Sequence, residues 1–141
     1  MAEPKTKPTD QPVAEFIDTF PDGQKRQEYW TIYELMKKVS QSPGKMWGTS
    51  IVGFGSYLQT GADGKTNEWP LIAFSPRKQA LTLYLSMEGI PQIEDRLARL
   101  GKHSVGKVCL YIKHLADVDL PTLTELVGAS YENAVKIYLH R

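Results

Sequence analysis

The chain has 141 residues, 41% of them hydrophobic and 23% charged, which is enough for one domain with its own core and no supporting metal or disulfide. Seventeen basic residues stand against sixteen acidic ones, a formal charge of +1. The balance is also local, so no segment is a polybasic stripe and no nucleic acid is expected as a partner.

No run of about 18 apolar residues is present, so no membrane-spanning segment is expected. The single cysteine, Cys109, excludes an internal disulfide framework and any CxxC site. The first twelve residues, MAEPKTKPTDQP, lack the apolar centre of a secretory signal and read as a disordered lead-in. The expectation is a cytoplasmic chain with a single domain over residues 13–141.

Val13, Phe16, Ile17 and Phe20 fall at i, i+3, i+4, i+7 and predict a short helix, with Thr9 or Asp10 as its cap. Pro21 ends it. Asp22 is the expected N-cap of a longer helix to Ser40, with Ile32, Leu35, Met36 and Val39 as its inner stripe. Pro43-Gly44 breaks the chain. Six of the eleven glycines then lie in residues 44–64, among Trp47, Ile51, Val52, Phe54 and Tyr57, which predicts a strand interrupted by bulges. Gly61-Ala62-Asp63-Gly64 reads as a hairpin tip leading to a strand over Trp69–Ser75. Ser75-Pro76-Arg77-Lys78 reads as a turn with proline second, and Leu81–Ser86 as an alternating strand.

Gly89-Ile90-Pro91 is expected to start a helix that stops at Gly101. Val105–Ile112 is the fourth strand, with Val108, Leu110 and Ile112 on one face. Asp119 caps the last helical region, which Gly128 and Ser130 are expected to divide, Ser130 capping the second piece. The order is ααβββαβα: an α+β fold with a small, mostly antiparallel sheet, a meander plus one later strand, packed with helices.

The third and fourth strands each pair an aliphatic face with a mixed one. The mixed faces carry Thr82, Tyr84 and Ser86, and Lys107, Cys109 and Tyr111. Tyrosine has an apolar body and a polar tip, which suits a ligand cleft, though helices covering the face would use it equally well. Tyr84 and Tyr111 are expected to be neighbours on one side of the sheet. Arg77 and Lys78 form a basic pair within a turn, and Arg77 suits a carboxylate or phosphate unless a structural acid takes it. Trp47, Gly53 and Phe54 suit either the close approach of a ligand or simple core packing. His103, Cys109 and His114 match no standard zinc spacing. No nucleophile, base and orienting group stand together, so no enzyme is predicted.

Three blocks carry a family likeness: Met46–Tyr57, Trp69–Gln79 with Leu81–Tyr84, and Leu100–Lys102 with Gly106–Lys113 and Asp117–Asp119. Together they resemble the YdhG-like domain family, small bacterial proteins of unknown function, over about residues 13–135. The resemblance implies a compact domain grouped with frataxin-like and YjbR-like proteins. Some members of that broader group are described as intracellular iron chaperones, which hold iron on exposed carboxylates. Here Glu15 and Asp18, at i, i+3, would be the ligands.

Two readings follow. The first is a non-catalytic module for a small anionic or aromatic ligand, or a partner protein, using Trp47, Phe54, Tyr57, Arg77, Tyr84, Lys107 and Tyr111, and needing no cofactor. The alternative is an iron chaperone using Glu15 and Asp18.

Overall fold

The computed structural model describes residues 9–139 except Thr49 and Lys107. Much of the expected lead-in therefore lies outside the described residues. Thr9 is tied down, its N–H donating to the Met46 carbonyl at 2.8 Å.

The fold is α+β. Helices α1 (Val13–Asp18) and α2 (Gly23–Ser40) lead into strands β1 (Lys45–Trp47), β2 (Ile51–Phe54), β3 (Tyr57–Thr60), β4 (Thr66–Trp69), β5 (Ile72–Pro76) and β6 (Leu81–Tyr84). Helix α3 (Ile93–Leu100), strands β7 (Ser104–Val105) and β8 (Cys109–Ile112), and helix α4 (Leu120–Ala134) complete the chain, α4 closing on a π-helical turn over Val135–Leu139. Six strands form an antiparallel sheet in the order β1-β2-β5-β6-β8-β7, and β3 and β4 pair in a separate hairpin.

Helix boundaries follow side-chain caps. Asp22 accepts from the N–H groups of Gln24 and Lys25 at 2.9 and 3.2 Å, as expected. Asp119 accepts from Thr122 N–H at 3.1 Å, also as expected. Helix α1 differs: its cap position is Pro12, with no side-chain bond, rather than Thr9 or Asp10. Helix α3 starts only at Ile93, after a left-handed Gln92. Helix α4 runs unbroken through Gly128, because Ser130 is buried and its Oγ accepts from Ser86 N–H at 2.7 Å instead of capping. Asn133 Nδ2 donates to the carbonyls of Ser86 and Glu88, each at 2.9 Å. These bonds claim the backbone of Ser86, so β6 ends at Tyr84, short of the expected Ser86.

Three strand expectations are corrected. The glycine-rich first strand is three strands, and the Gly61–Gly64 tip joins β3 to β4 rather than two strands of the main sheet. Pro76 stays within β5, opposite Leu81, so the turn falls on residues 77–80. The expected strand Val105–Ile112 is a hairpin, closed by Gly106 N–H on the Cys109 carbonyl at 2.8 Å. Val108 belongs to that turn and is 55% exposed rather than part of the core.

One face of the main sheet carries the core. Val52, Phe54, Ile72, Phe74, Leu81, Leu83, Leu110 and Ile112 are all buried there, packed with Ile32, Met36, Leu123, Leu126 and Val127. Helices α2 and α4 lie on this face, flanked by α1 and α3. Phe54 stacks toward Phe74 and Tyr33, with ring centres 6.4 and 5.3 Å away.

Gly53 lies on the other face, and a Cβ there would stand 2.5 Å from Trp47 Nε1 and 2.6 Å from Pro70 Cβ. The glycine therefore makes room for the indole of its own sheet neighbour, not for a ligand. Gly53→Ala is expected to lower unfolding free energy by roughly 1–3 kcal/mol, the usual cost of overpacking, read from urea midpoints. An unchanged midpoint would show that Trp47 and Pro70 yield without strain.

Candidate functional site

Strand alternation assembles the second face. Across β5, β6 and β8, Ala73 stands opposite Tyr84, Ser75 opposite Thr82, Tyr84 opposite Cys109 and Thr82 opposite Tyr111. Tyr84 and Tyr111 are thus diagonal neighbours on one side of the sheet, as the sequence predicts. No large aliphatic side chain stands on this part of the face, and both tyrosines are half-buried.

Two clefts open on it. The first, about 800 Å³, lies over β6, β8 and β7 and is edged by Arg77, Lys102, His103 and Lys113. Thr82, Tyr84, Cys109 and Tyr111 form its floor, and no carboxylate lines it. The second, about 620 Å³, lies between the sheet, the β3–β4 hairpin and the end of α4. Its walls include Tyr57, Trp69, Pro70, Val108, Ile137 and Tyr138, with Glu88 as its one acid. Both volumes suit a small organic ligand.

Arg77 and Tyr84 line both clefts. The Arg77 guanidinium donates to the Tyr84 hydroxyl at 2.8 Å. Among the described residues no carboxylate pairs with Arg77 within the 4.0 Å of an ion pair. The structural acid that would have explained this arginine is therefore not its partner. The tyrosine fixes one edge of the guanidinium fork, and the remaining donors stay available to an anion.

His103 Nδ1 lies 2.7 Å from the Gly101 carbonyl oxygen, which can only accept, so that nitrogen carries its proton. The Tyr111 phenol is raised above its ordinary value, first by hydrogen bonding to the neighbouring Cys109 side chain and next by that group's charge. At the other end of the face, Tyr57 stacks on Tyr138 with ring centres 4.0 Å apart and planes 9° from parallel. Burial, then the charge and hydrogen bond of Tyr138, push the Tyr57 phenol up to about 12.

The seven residues expected in a ligand site divide. Arg77, Tyr84 and Tyr111 come together in the first cleft, and Tyr57 joins Arg77 and Tyr84 in the second. Phe54 is a correction: Phe54 pairs with Ile72 on the core face and is fully buried, because β2 alternates and puts Ile51 and Gly53 on the other face, of which Ile51 lines the second cleft. Trp47 is a second correction: the indole is 2% exposed, enclosed beside Gly53 and Pro70, and lines neither cleft. Its Nε1 is buried with no hydrogen-bond partner among the described residues. Lys107 lies outside the described residues.

Glu15 and Asp18 are both exposed on α1 and line neither cleft. Of the other early acids, Asp22 is spent capping α2 and Glu28 stands 3.9 Å from Lys25. No three His, Cys, Asp or Glu side chains are grouped to hold a metal ion among the described residues.

Sequence reasoning missed Lys102, Lys113, Trp69, Ile137 and Tyr138 as site residues. Lys102 and Lys113 fall in the acid-free stretch 96–116, and Trp69 ends the strand that pairs with β3. The π-helical turn after α4 brings Ile137 and Tyr138 to the second cleft. No family model, curated protein or solved structure matches the chain.

The Tyr57 shift has a signed consequence. A phenol that keeps its proton longer in the folded state contributes fully below its unfolded value of 10.0 and loses that contribution as pH rises toward about 12. Urea midpoints should therefore fall across that range, and Tyr57→Phe should flatten the fall while leaving the share owed to Tyr29 and Tyr111, whose phenols are also raised. An identical alkaline decline in the variant would refute the assignment to the Tyr57–Tyr138 stack.

Proposed function

We propose that the protein is a non-catalytic module that binds one small ligand on the open face of its sheet. The apolar body of the ligand lies in the cleft between Tyr57, Trp69 and Tyr138, and an anionic group meets Arg77. The observation that carries this reading is the position of Arg77. It is shared by both clefts, held by Tyr84 at 2.8 Å, and unpaired with any carboxylate among the described residues. A guanidinium oriented by a neutral hydroxyl keeps its full charge for a ligand, whereas a carboxylate partner would have neutralised it.

Among the described residues no hydrogen bond joins Cys109 to His103, so no thiol–imidazole pair favours a catalytic reading over a binding one. The likeness to YdhG-like domains is compatible with a binding role. Iron carriage by Glu15 and Asp18 would use a surface remote from both clefts, and no observation beyond their exposure favours it.

Anilinonaphthalene sulfonate, an aromatic anion, is a suitable probe because Trp69 in the cleft wall reports on it by fluorescence. Arg77→Ala should weaken its binding about tenfold, as expected for loss of a hydrogen bond to a charged group. The melting temperature should stay unchanged, because Arg77 is exposed. Unchanged dye affinity in the variant would reject the site. A fall in melting temperature with affinity retained would mark Arg77 as structural.

A further inference from the structure

We infer that the charged end of the ligand is a phosphate, or a short chain of phosphates, on a small organic molecule. It sits in the cleft edged by Arg77, Lys102, His103 and Lys113. The inference rests on the ligand-module reading and specifies the chemistry of that ligand's anionic end.

The four groups come from three parts of the chain. Arg77 stands in the turn after β5, Lys102 and His103 between α3 and β7, and Lys113 directly after β8. Arg77 and Lys78 stand between Glu68 and Glu88 with no acid nearer, and Lys102, His103 and Lys113 fall within residues 96–116, which hold five Lys or Arg and no Asp or Glu. The antiparallel order β6-β8-β7 gathers the four groups around one floor, and no Asp or Glu lines the space between them. None of the three permanent cations forms an ion pair among the described residues.

Charge count decides the class. One carboxylate is satisfied by one bidentate guanidinium. Three cations and an imidazole around a single cleft repel one another until more than one negative charge enters. A phosphate monoester carries about −1.5 to −2 charges and three acceptor oxygens, which matches several separate donors. The floor adds hydroxyl donors at Thr82, Tyr84 and Tyr111, and Ser104 adds one at the edge.

Contiguity favours a small molecule over a polymer. Arg77 and Tyr84 belong to both clefts, so a phosphate beside Arg77 leaves the rest of its molecule next to the apolar wall of Tyr57, Trp69 and Tyr138. A nucleic-acid strand needs a charged track instead, and the chain as a whole has a formal charge of only +1.

Calorimetry of the full chain with inorganic pyrophosphate tests this, using the double variant Lys102→Ala with Lys113→Ala. Both lysines are exposed, so the fold should tolerate the change. Saturable binding by the natural chain, weakened about tenfold or more in the double variant at an unchanged melting temperature, is the expected result. No saturable binding, or equal affinity for the two proteins, would overturn the phosphate assignment. Tighter binding of a single-stranded oligouridylate than of phenyl phosphate would overturn it too, in favour of RNA. Dye binding separates the two levels: if anilinonaphthalene sulfonate still depends on Arg77 while pyrophosphate fails to bind, only the phosphate inference falls.

Discussion

The alternation of β6 and β8 is the constraint on which the molecule depends. Leu81 and Leu83 pair with Ile112 and Leu110 on one face, and Thr82 and Tyr84 pair with Tyr111 and Cys109 on the other. Because side chains alternate with a period of two, the aliphatic set can be buried under α2 and α4 only if the tyrosine set faces away from them. A slip of one residue would place Tyr84 in the core and Leu83 on the surface. Burial of Leu83, Leu110 and Ile112, each at 0% exposure, therefore holds the open face in place as firmly as it holds the core.

What stands around that face follows from local chemistry. Ser130 and Asn133 on α4 hold the backbone after β6, which sets the loop that edges the apolar cleft. The β3–β4 hairpin leaves the main sheet after Phe54 and carries Tyr57 and Trp69 to the same cleft. The π-helical turn after α4 brings Tyr138 onto Tyr57 at 4.0 Å, which closes one end of it. Trp47 fills the space over Gly53, so of β2 only Ile51 borders the open face. The face is divided between an apolar wall and a cationic one, and the Arg77–Tyr84 pair stands where they meet.

The sequence carried the face assignment of Tyr84 and Tyr111 because a four-residue alternating strand has one solution once its leucines are buried. Asp22 and Asp119 were legible because each is a capping residue at the head of a helical segment, Asp22 directly after the helix-ending Pro21 and Asp119 two residues before Pro121. The glycine-rich segment was not. A glycine beside an aromatic signals close approach, but it does not say whether a ligand or the chain's own indole approaches. Phe54 was misplaced because its face depends on the start of β2, which glycines at 48, 53 and 55 obscure. Ser130 looked like a cap because Ser is common there, whereas a tertiary bond to Ser86 had claimed its hydroxyl. The cationic cleft was only partly legible: residues 96–116 hold five Lys or Arg and no acid, which wider windows average away, and only sheet pairing brings Arg77 to Lys102, His103 and Lys113.

The central claim is that the open face around Arg77 and Tyr84 is the binding surface. Amide chemical-shift mapping of the full chain with phenyl phosphate tests it most directly, because this probe joins an aromatic ring to a phosphate. The account predicts saturable shifts confined to the turn after β5, to β6, to the α3–β7 connection and β8, and to the β3–β4 hairpin. Shifts centred on α1 and α2 instead, or none at millimolar probe, would contradict it.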